Sequence, residues 1–339
     1  MNAQLQSRRH ERAPRLGFLG LGWIGCQRMQ VLADSGIATV AAIADPHSEA
    51  RARAAAHAPD ARCCEDIDGL LDSDDLDGIV IATPSGAHAR QALAALERGV
   101  AVFCQKPLAR TAAEVAQVLD AARRTDRLLG VDFSYRAMAG VAALRDCIRA
   151  GTLGDVYAVD LVFHNAYGPD KPWFYDIAQS GGGCVMDLGT HLVDMAQWVC
   201  GSAGHAALVA DLYAQGERLQ PPIGRVEDYA AAQWRMDNGA SVRMACSWRL
   251  SAGCDAVIEM AFHGTRGGAA IRNVAGSFYD FAVERFDGTT PTTLASPPDP
   301  WGGRMLVAWA EQLCGSARFD PAAMPWLQVA RTVDAIYGR

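Results

Sequence analysis

Gly20-Leu21-Gly22-Trp23-Ile24-Gly25 follows an apolar run over residues 15–19 and opens a helical pattern over residues 24–34. The spacing is G-x-G-x-x-G, and each glycine has a physical reason. Gly20 lets the chain turn tightly, Gly22 removes a side chain where a pyrophosphate must approach the backbone, and Gly25 lets helix and strand pack closely. The helix N-terminus then offers unpaired N–H groups to phosphate. Three glycines alone also fit an ordinary loop. What strengthens the dinucleotide reading is Asp45, twenty residues past Gly25 at the end of the next strand pattern, where a carboxylate can accept from both hydroxyls of an adenosine ribose. The same charge repels a 2′-phosphate, so NAD is expected over NADP, with His47, Ser48 and Arg51 just beyond as groups that could blur the preference.

Outward from this stretch, residues 15–131 alternate short apolar runs with helical spacing, the rhythm of a parallel sheet wound with helices. Strands are predicted over 15–19, 39–44, 78–82, 101–104 and 128–131, and helices over 87–98 and 112–123. After residue 131 the period changes. Longer strand patterns run over 156–164, 207–213, 229–236, 241–250, 257–263 and 268–273, with helices over 183–199 and 301–314 and another ending at Tyr337. This predicts three segments: a flexible stretch 1–14, a dinucleotide-binding domain 15–131, and a second α/β domain 132–339 built on a mostly antiparallel sheet.

Composition narrows the function classes. At 339 residues the chain is long enough for two cores, and 50% apolar with 20% charged residues is a globular balance. A formal net charge of −7 argues against nucleic acid, which needs a basic face. The ten cysteines include no C-x-x-C pair, so a structural zinc site has no support. No run of about 18 apolar residues suggests a membrane span, and the polar opening residues carry no apolar leader core. A cytoplasmic protein with reduced thiols is expected.

Two further segments fall beyond predicted strand ends, where open α/β sheets hold ligands. In Thr83-Pro84-Ser85-Gly86-Ala87-His88, proline stops ladder pairing, and hydroxyls and loop amides could line the cofactor's ribose or nicotinamide; a plain strand-to-helix turn with Ser85 as cap explains part of this. In Cys104-Gln105-Lys106-Pro107, a lysine ends a buried strand, an unusual place for a residue that normally sits in water. Beside a substrate hydroxyl its ammonium would stabilise an alkoxide. The second half supplies Ser180-Gly181-Gly182-Gly183-Cys184-Val185-Met186-Asp187-Leu188-Gly189-Thr190-His191. Asp187 and His191 are i and i+4 on a helix and share a face, so the aspartate can orient the imidazole while its other nitrogen takes a substrate proton. The triple glycine is expected to bring this helix close to another body, the cofactor ring being one option. The alternatives are a pair that merely staples the helix, or a metal pair with Asp194, which lacks further ligands at the right spacing.

Assembled in this order, with Phe133-Ser134-Tyr135-Arg136, Val226-Glu227-Asp228-Tyr229-Ala230, Gly264-Thr265-Arg266-Gly267 and Ala335-Ile336-Tyr337, these motifs resemble the Gfo/Idh/MocA family of oxidoreductases. The resemblance implies an N-terminal Rossmann domain with a doubly wound parallel sheet and a C-terminal α/β domain with a large open sheet, often used to form dimers or tetramers. It also implies a reaction on sugars, cyclitols or related polyols, and makes Lys106, Asp187 and His191 the catalytic set. Gln105 stands where the family usually has glutamate; it keeps hydrogen-bonding capacity and removes the charge.

The expected chemistry is hydride exchange between NAD and a secondary alcohol or ketone. The sequence leaves open whether Lys106 or His191 is the immediate base. Tyr135, Arg136, His164, Asn165, Trp173, Tyr175 and Arg249 are candidate substrate contacts, with loop anchoring the alternative for Trp173 and Tyr175. Two other outcomes fit the same motifs: a glycosidase or lyase that holds NAD without net redox, and a non-catalytic NAD-binding regulator.

Overall fold

The computed structural model describes residues 12–72 and 75–339. Of the stretch 1–14 expected to be flexible, residues 1–11 lie outside the described residues. The chain divides into two compact units. The first takes the described residues up to Ala109, then Ala113–Ser134 and Gly302–Met324; the second takes Arg110–Ala112, Tyr135–Trp301 and Pro325–Arg339.

The first unit is built on six strands: β1 (Arg15–Leu19), β2 (Thr39–Ala44), β3 (Arg62–Cys64), β4 (Gly78–Ile81), β5 (Ala101–Cys104) and β6 (Leu129–Val131). They are ordered β3-β2-β1-β4-β5-β6 and every pair is parallel. This is the order of a dinucleotide-binding doubly wound sheet, whose ligand lies beyond the carboxyl ends of the strands where the order reverses. The strands are buried on both faces, as parallel strands sandwiched by helices must be: Leu16, Phe18, Ile43, Ile79, Val80 and Val102 have no exposed surface. β3 escapes a pattern search because it has only three residues, two of them exposed.

The helix Arg304–Gly315 belongs to this unit, whereas sequence order alone assigned everything after residue 131 to the second domain. Its reason is a core contact. Trp309 packs on Phe103 with ring centroids 5.6 Å apart. Space for its indole comes from Gly78 on β4 and Gly130 on β6, where an added Cβ would stand 2.6 Å from Trp309 in each case.

The second unit carries nine strands: β7 (Val156–Asn165), β8 (Ala206–Ala214), β9 (Glu217–Arg218), β10 (Tyr229–Arg235), β11 (Ser241–Ser247), β12 (Ala256–Gly264), β13 (Gly268–Asn273), β14 (Phe281–Asp287) and β15 (Thr290–Ala295). Their order is β15-β14-β13-β12-β7-β11-β10-β8-β9, antiparallel except for β7 with β11. The period-2 alternation is clear on the central strands. Val159, Leu161 and Phe163 of β7, Val242, Met244 and Cys246 of β11, and Ile258, Met260 and Phe262 of β12 are buried. The helix Thr190–Cys200 packs on β7 and β12, flanked by Val141–Arg149 and Trp326–Ile336. The opposite face bears Asp160, Arg243 and His263, joined across three strands by Arg243 Nε to Asp160 Oδ1 at 2.7 Å and His263 Nε2 to Asp160 Oδ2 at 3.2 Å. The Arg243 hydrogen bond holds the Asp160 carboxyl below its ordinary range. No helix among the described residues is long and apolar enough to cross a membrane.

Candidate active site

In the first unit the glycine fingerprint has the geometry its spacing predicts. Gly20 has φ +90°, and a Cβ there would lie 2.5 Å from the Ala82 carbonyl oxygen. A Cβ on Gly25 would lie 2.0 Å from the Gly20 carbonyl oxygen, so only glycine permits this approach of helix to strand end. Gly22, by contrast, faces open space with nothing within 4 Å, and it caps the helix Trp23–Ser35. Close packing on two sides and an open third side is the cradle a pyrophosphate requires. Leu21 is buried beneath the loop and Trp23 is exposed.

Asp45 locks this loop. Its Oδ2 accepts from Leu21 N at 2.8 Å and its Oδ1 from His47 N at 2.9 Å. Each carboxylate oxygen has a second lone pair, which leaves acceptors for ribose hydroxyls. Arg51 turns away from that carboxylate and donates to the Asp45 and Pro46 carbonyls. The residues present fit a dinucleotide.

At β4, the helix Ser85–Glu97 starts directly after Pro84, which takes the cap position proposed for Ser85; Ser85 is buried inside the first turn. Thr83 Oγ1 donates to Gln91 Oε1. His88, expected among the cofactor contacts, is buried with both ring nitrogens on backbone carbonyls: Nδ1 at 2.7 Å from Pro107 O and Nε2 at 2.8 Å from Thr83 O. It therefore ties the Thr83 loop to the Lys106-Pro107 segment. Burial pushes its pKa down. Lys106 is partly buried and its bond to Pro107 is cis. Gln105 is buried, and its Nε2 donates to Asp132 Oδ2, which also accepts from Arg28 Nε at 2.6 Å. Sequence reading missed Arg28 and Asp132. Their signal was a charge inside a buried helix face and another closing the apolar run of β6.

In the second unit Asp187 sits in a π-helical turn, Val185–Gly189, that runs into the α-helix Thr190–Cys200 carrying His191. The sequence predicted one continuous α-helix over 183–199. The wider turn is supported by Thr190 Oγ1, which donates to Met186 O at 2.8 Å, and single π-turns of this kind cluster at functional positions. Trp248 Nε1 donates to Asp187 Oδ2 at 3.2 Å. The Tyr135 ring meets His191 edge-on at 4.8 Å and is boxed by Phe281 and Trp301. Burial, then the charge of Asp187, raises the Tyr135 phenol above its ordinary pKa, so Tyr135 is a neutral hydroxyl beside that carboxylate. Tyr135, Asp187, His191 and Trp248 thus form one cluster.

The triple glycine serves a different neighbour from the cofactor ring suggested by the sequence. A Cβ on Gly183 would stand 1.8 Å from Glu227 O, and one on Gly182 would stand 2.0 Å from the Tyr337 hydroxyl. The wholly buried Glu227 carboxylate accepts from Gly183 N and Val185 N, each at 2.9 Å, and from Tyr337 OH at 2.8 Å. Glu227 and Tyr337 therefore anchor the start of the helical segment that carries Asp187 and His191.

The remaining candidates separate into two groups. Arg136 is committed to a buried bidentate pair with Asp194 and lies over Trp198, and the Asn165 side chain accepts from Tyr167 N in a local turn. Trp173 stacks on Phe174. His164 Nδ1 meets Ser247 Oγ at 2.8 Å, with its pKa pushed down by burial. Tyr175 and Arg249, however, line a cavity of about 550 Å³ together with Trp248 and Asp228. Arg249 lies 5.2 Å over the Tyr175 ring and has φ +58°, a left-handed backbone that a non-glycine residue rarely adopts outside special sites.

Comparison with known proteins follows the same division. Residues 15–133 match the oxidoreductase family with the NAD-binding Rossmann fold, and residues 141–270 match the GFO/IDH/MocA C-terminal domain. The rhizopine catabolism protein MocA of Rhizobium meliloti is 31% identical over 187 residues, 55% of this chain and 57% of that protein. Levoglucosan dehydrogenase of Pseudarthrobacter phenanthrenivorans is 31% identical over 250 residues, 66% of this chain and 63% of that protein. The chain thus spans about three fifths of the length of these curated relatives. A solved levoglucosan dehydrogenase in complex with NADH shares the fold with TM-score 0.82 at 23% identity, covering 96% of both chains. The chain belongs to the Gfo/Idh/MocA oxidoreductase family.

Proposed function

We propose that this protein is an NAD-dependent dehydrogenase or reductase acting on a secondary alcohol or ketone of a sugar, cyclitol or related polyol. The observation that carries the reading is that one chain holds both an Asp45-locked fingerprint and Asp187, on a π-turn backed by Trp248 that leads into the helix carrying His191. Relatives named as levoglucosan dehydrogenase and inositol 2-dehydrogenase support the substrate class.

Gly20 to Gly25, Asp45, Thr83 and Gln105 would hold the cofactor, which would supply the acceptor for the hydride of the carbinol carbon. His191 takes the hydroxyl proton, and Lys106 stabilises the alkoxide as it forms. Asp187 orients His191, and the Trp248 indole N–H keeps the carboxylate in place. The Tyr135 edge fixes the imidazole plane. Tyr175 and Arg249 contact the part of the substrate that does not react. The second unit holds the substrate and assembles copies into a homodimer or homotetramer through the sheet face bearing Asp160 and Arg243. The cytoplasm is the expected compartment.

A panel of sugars and cyclitols with NAD and with NADP, followed as reduced-nicotinamide absorbance, tests the reading. At least one polyol should support sustained turnover with NAD and less with NADP. NAD binding without turnover across the panel would overturn the assignment.

A further inference from the structure

Three side chains from three elements of the first unit meet at the carboxyl end of its sheet. Gln105 follows β5, Asp132 follows the neighbouring β6, and Arg28 lies one turn inside the fingerprint helix. All three are nine-tenths or more buried. Asp132 Oδ2 accepts from both Arg28 Nε and Gln105 Nε2, while its Oδ1 is buried without a hydrogen-bond partner among the described residues. A buried aspartate needs a paired charge, and Arg28 supplies it.

An ion-paired carboxylate can only accept, so it fixes which end of the Gln105 amide faces it. One N–H of the amide is given to Asp132, which fixes the nitrogen on that side and turns Oε1 away from the carboxylate. The amide oxygen is therefore presented as an acceptor, and the ligand group that meets Oε1 must be a donor. A dinucleotide-binding sheet has two mononucleotide halves, and the fingerprint lies at β1. The end of β5 belongs to the other half, where the nicotinamide lies. The donor available on that ring is the N–H of its carboxamide.

We propose that Asp132, held by Arg28, is a positioning residue: it locks the Gln105 amide so that Oε1 accepts from the nicotinamide carboxamide. The arrangement also connects the phosphate-binding helix, through Arg28, to the residue preceding Lys106. It rests on the NAD reading above and adds to it a contact and the residues that set its polarity.

The test is calorimetric titration of the whole protein with oxidised NAD and with 3-acetylpyridine adenine dinucleotide, whose methyl ketone has no N–H to donate. Wild type should bind NAD about tenfold more tightly than the analogue, the worth of one hydrogen bond. Gln105→Leu should bring the ratio near one. Asp132→Asn should also bring it near one with Gln105 intact, since the amide is then free to flip. The exchange of Gln105→Glu with Asp132→Asn restores an acceptor-only group at 105 and should restore the ratio. If Asp132→Asn alone does not fold, Gln105→Leu and the exchange decide the matter. A wild-type ratio of one, or an unchanged ratio in Gln105→Leu or in folded Asp132→Asn, overturns the proposal and leaves NAD binding standing. Wild type that binds neither dinucleotide overturns the cofactor reading itself.

Discussion

Replacing Gly183 by alanine separates two accounts of the triple glycine. The added Cβ would stand 1.8 Å from Glu227 O and 2.9 Å from Glu227 N. An ordinary contact is about 3.4 Å or more, and the obstructing atoms are backbone, so the helix start must move by more than an ångström or the loop segment at Glu227 must yield. Either movement strains the Cys184 N to Glu227 O bond at 3.1 Å and the Gly183 N to Glu227 Oε2 bond at 2.9 Å. Overpacking of this kind typically costs about 1–3 kcal/mol, and two weakened buried hydrogen bonds put the expected loss at the upper end, about 3 kcal/mol. Asp187 lies four residues on. A displacement of about 1 Å there should lower kcat roughly a hundredfold. NAD affinity should not change, because the obstruction is Glu227. Urea denaturation, steady-state kinetics and NAD calorimetry on Gly183→Ala read the three quantities separately. Weakened NAD binding with unchanged stability would refute the reasoning and return the glycines to the cofactor.

Asp45→Ala removes the acceptor for Leu21 N and His47 N as well as for the ribose, so calorimetry should show NAD weakened by about a hundredfold or more and the preference over NADP reduced. Unchanged selectivity would argue against this carboxylate as the discriminator. Gly130→Ala drives a Cβ into Trp309 at 2.6 Å and should cost about 1–3 kcal/mol in chemical denaturation; Trp309→Phe in the same background should recover part of it. Burial lowers the His88 pKa in the folded protein. Below about pH 6.5 the unfolded chain binds the extra proton, so stability falls as pH drops through that value, by up to about 1.4 kcal/mol per pH unit, and levels off below the folded pKa. Denaturation between pH 7.5 and 5.5 should give a steeper slope for wild type than for His88→Gln, with contributions from other groups common to both; equal slopes would contradict it.

How much of this was legible depends on whether a residue's role is local. The fingerprint, Asp45 and the strands β1, β2, β4 and β5 announce themselves because glycine spacing and apolar runs are properties of neighbours along the chain. Asp187 and His191 are readable for the same reason. The π-turn beneath them is not, since it is defined by the backbone bond from Thr190 N to Val185 O, five residues back, which no apolar periodicity marks. Glu227 and Tyr337 lie 44 and 154 residues from Gly183, so nothing near the glycines tells what they approach. Arg136 and Asn165 carry polar groups suited to a sugar, and only the structure shows that Arg136 pairs with Asp194 and that Asn165 Oδ1 accepts from Tyr167 N. Trp309 shows the same limit at domain scale: its helix follows the second domain in sequence, yet its indole fills glycine-made space in the first.

The central claim is that Lys106 and His191 act in hydride exchange rather than in cofactor binding. It is tested most directly by measuring kcat and NAD dissociation constants together for Lys106→Ala and His191→Ala, on the best polyol from the panel. The account predicts kcat lowered by about two to four orders of magnitude in each, with NAD affinity within a few-fold of wild type. Near-normal turnover in either variant would contradict it.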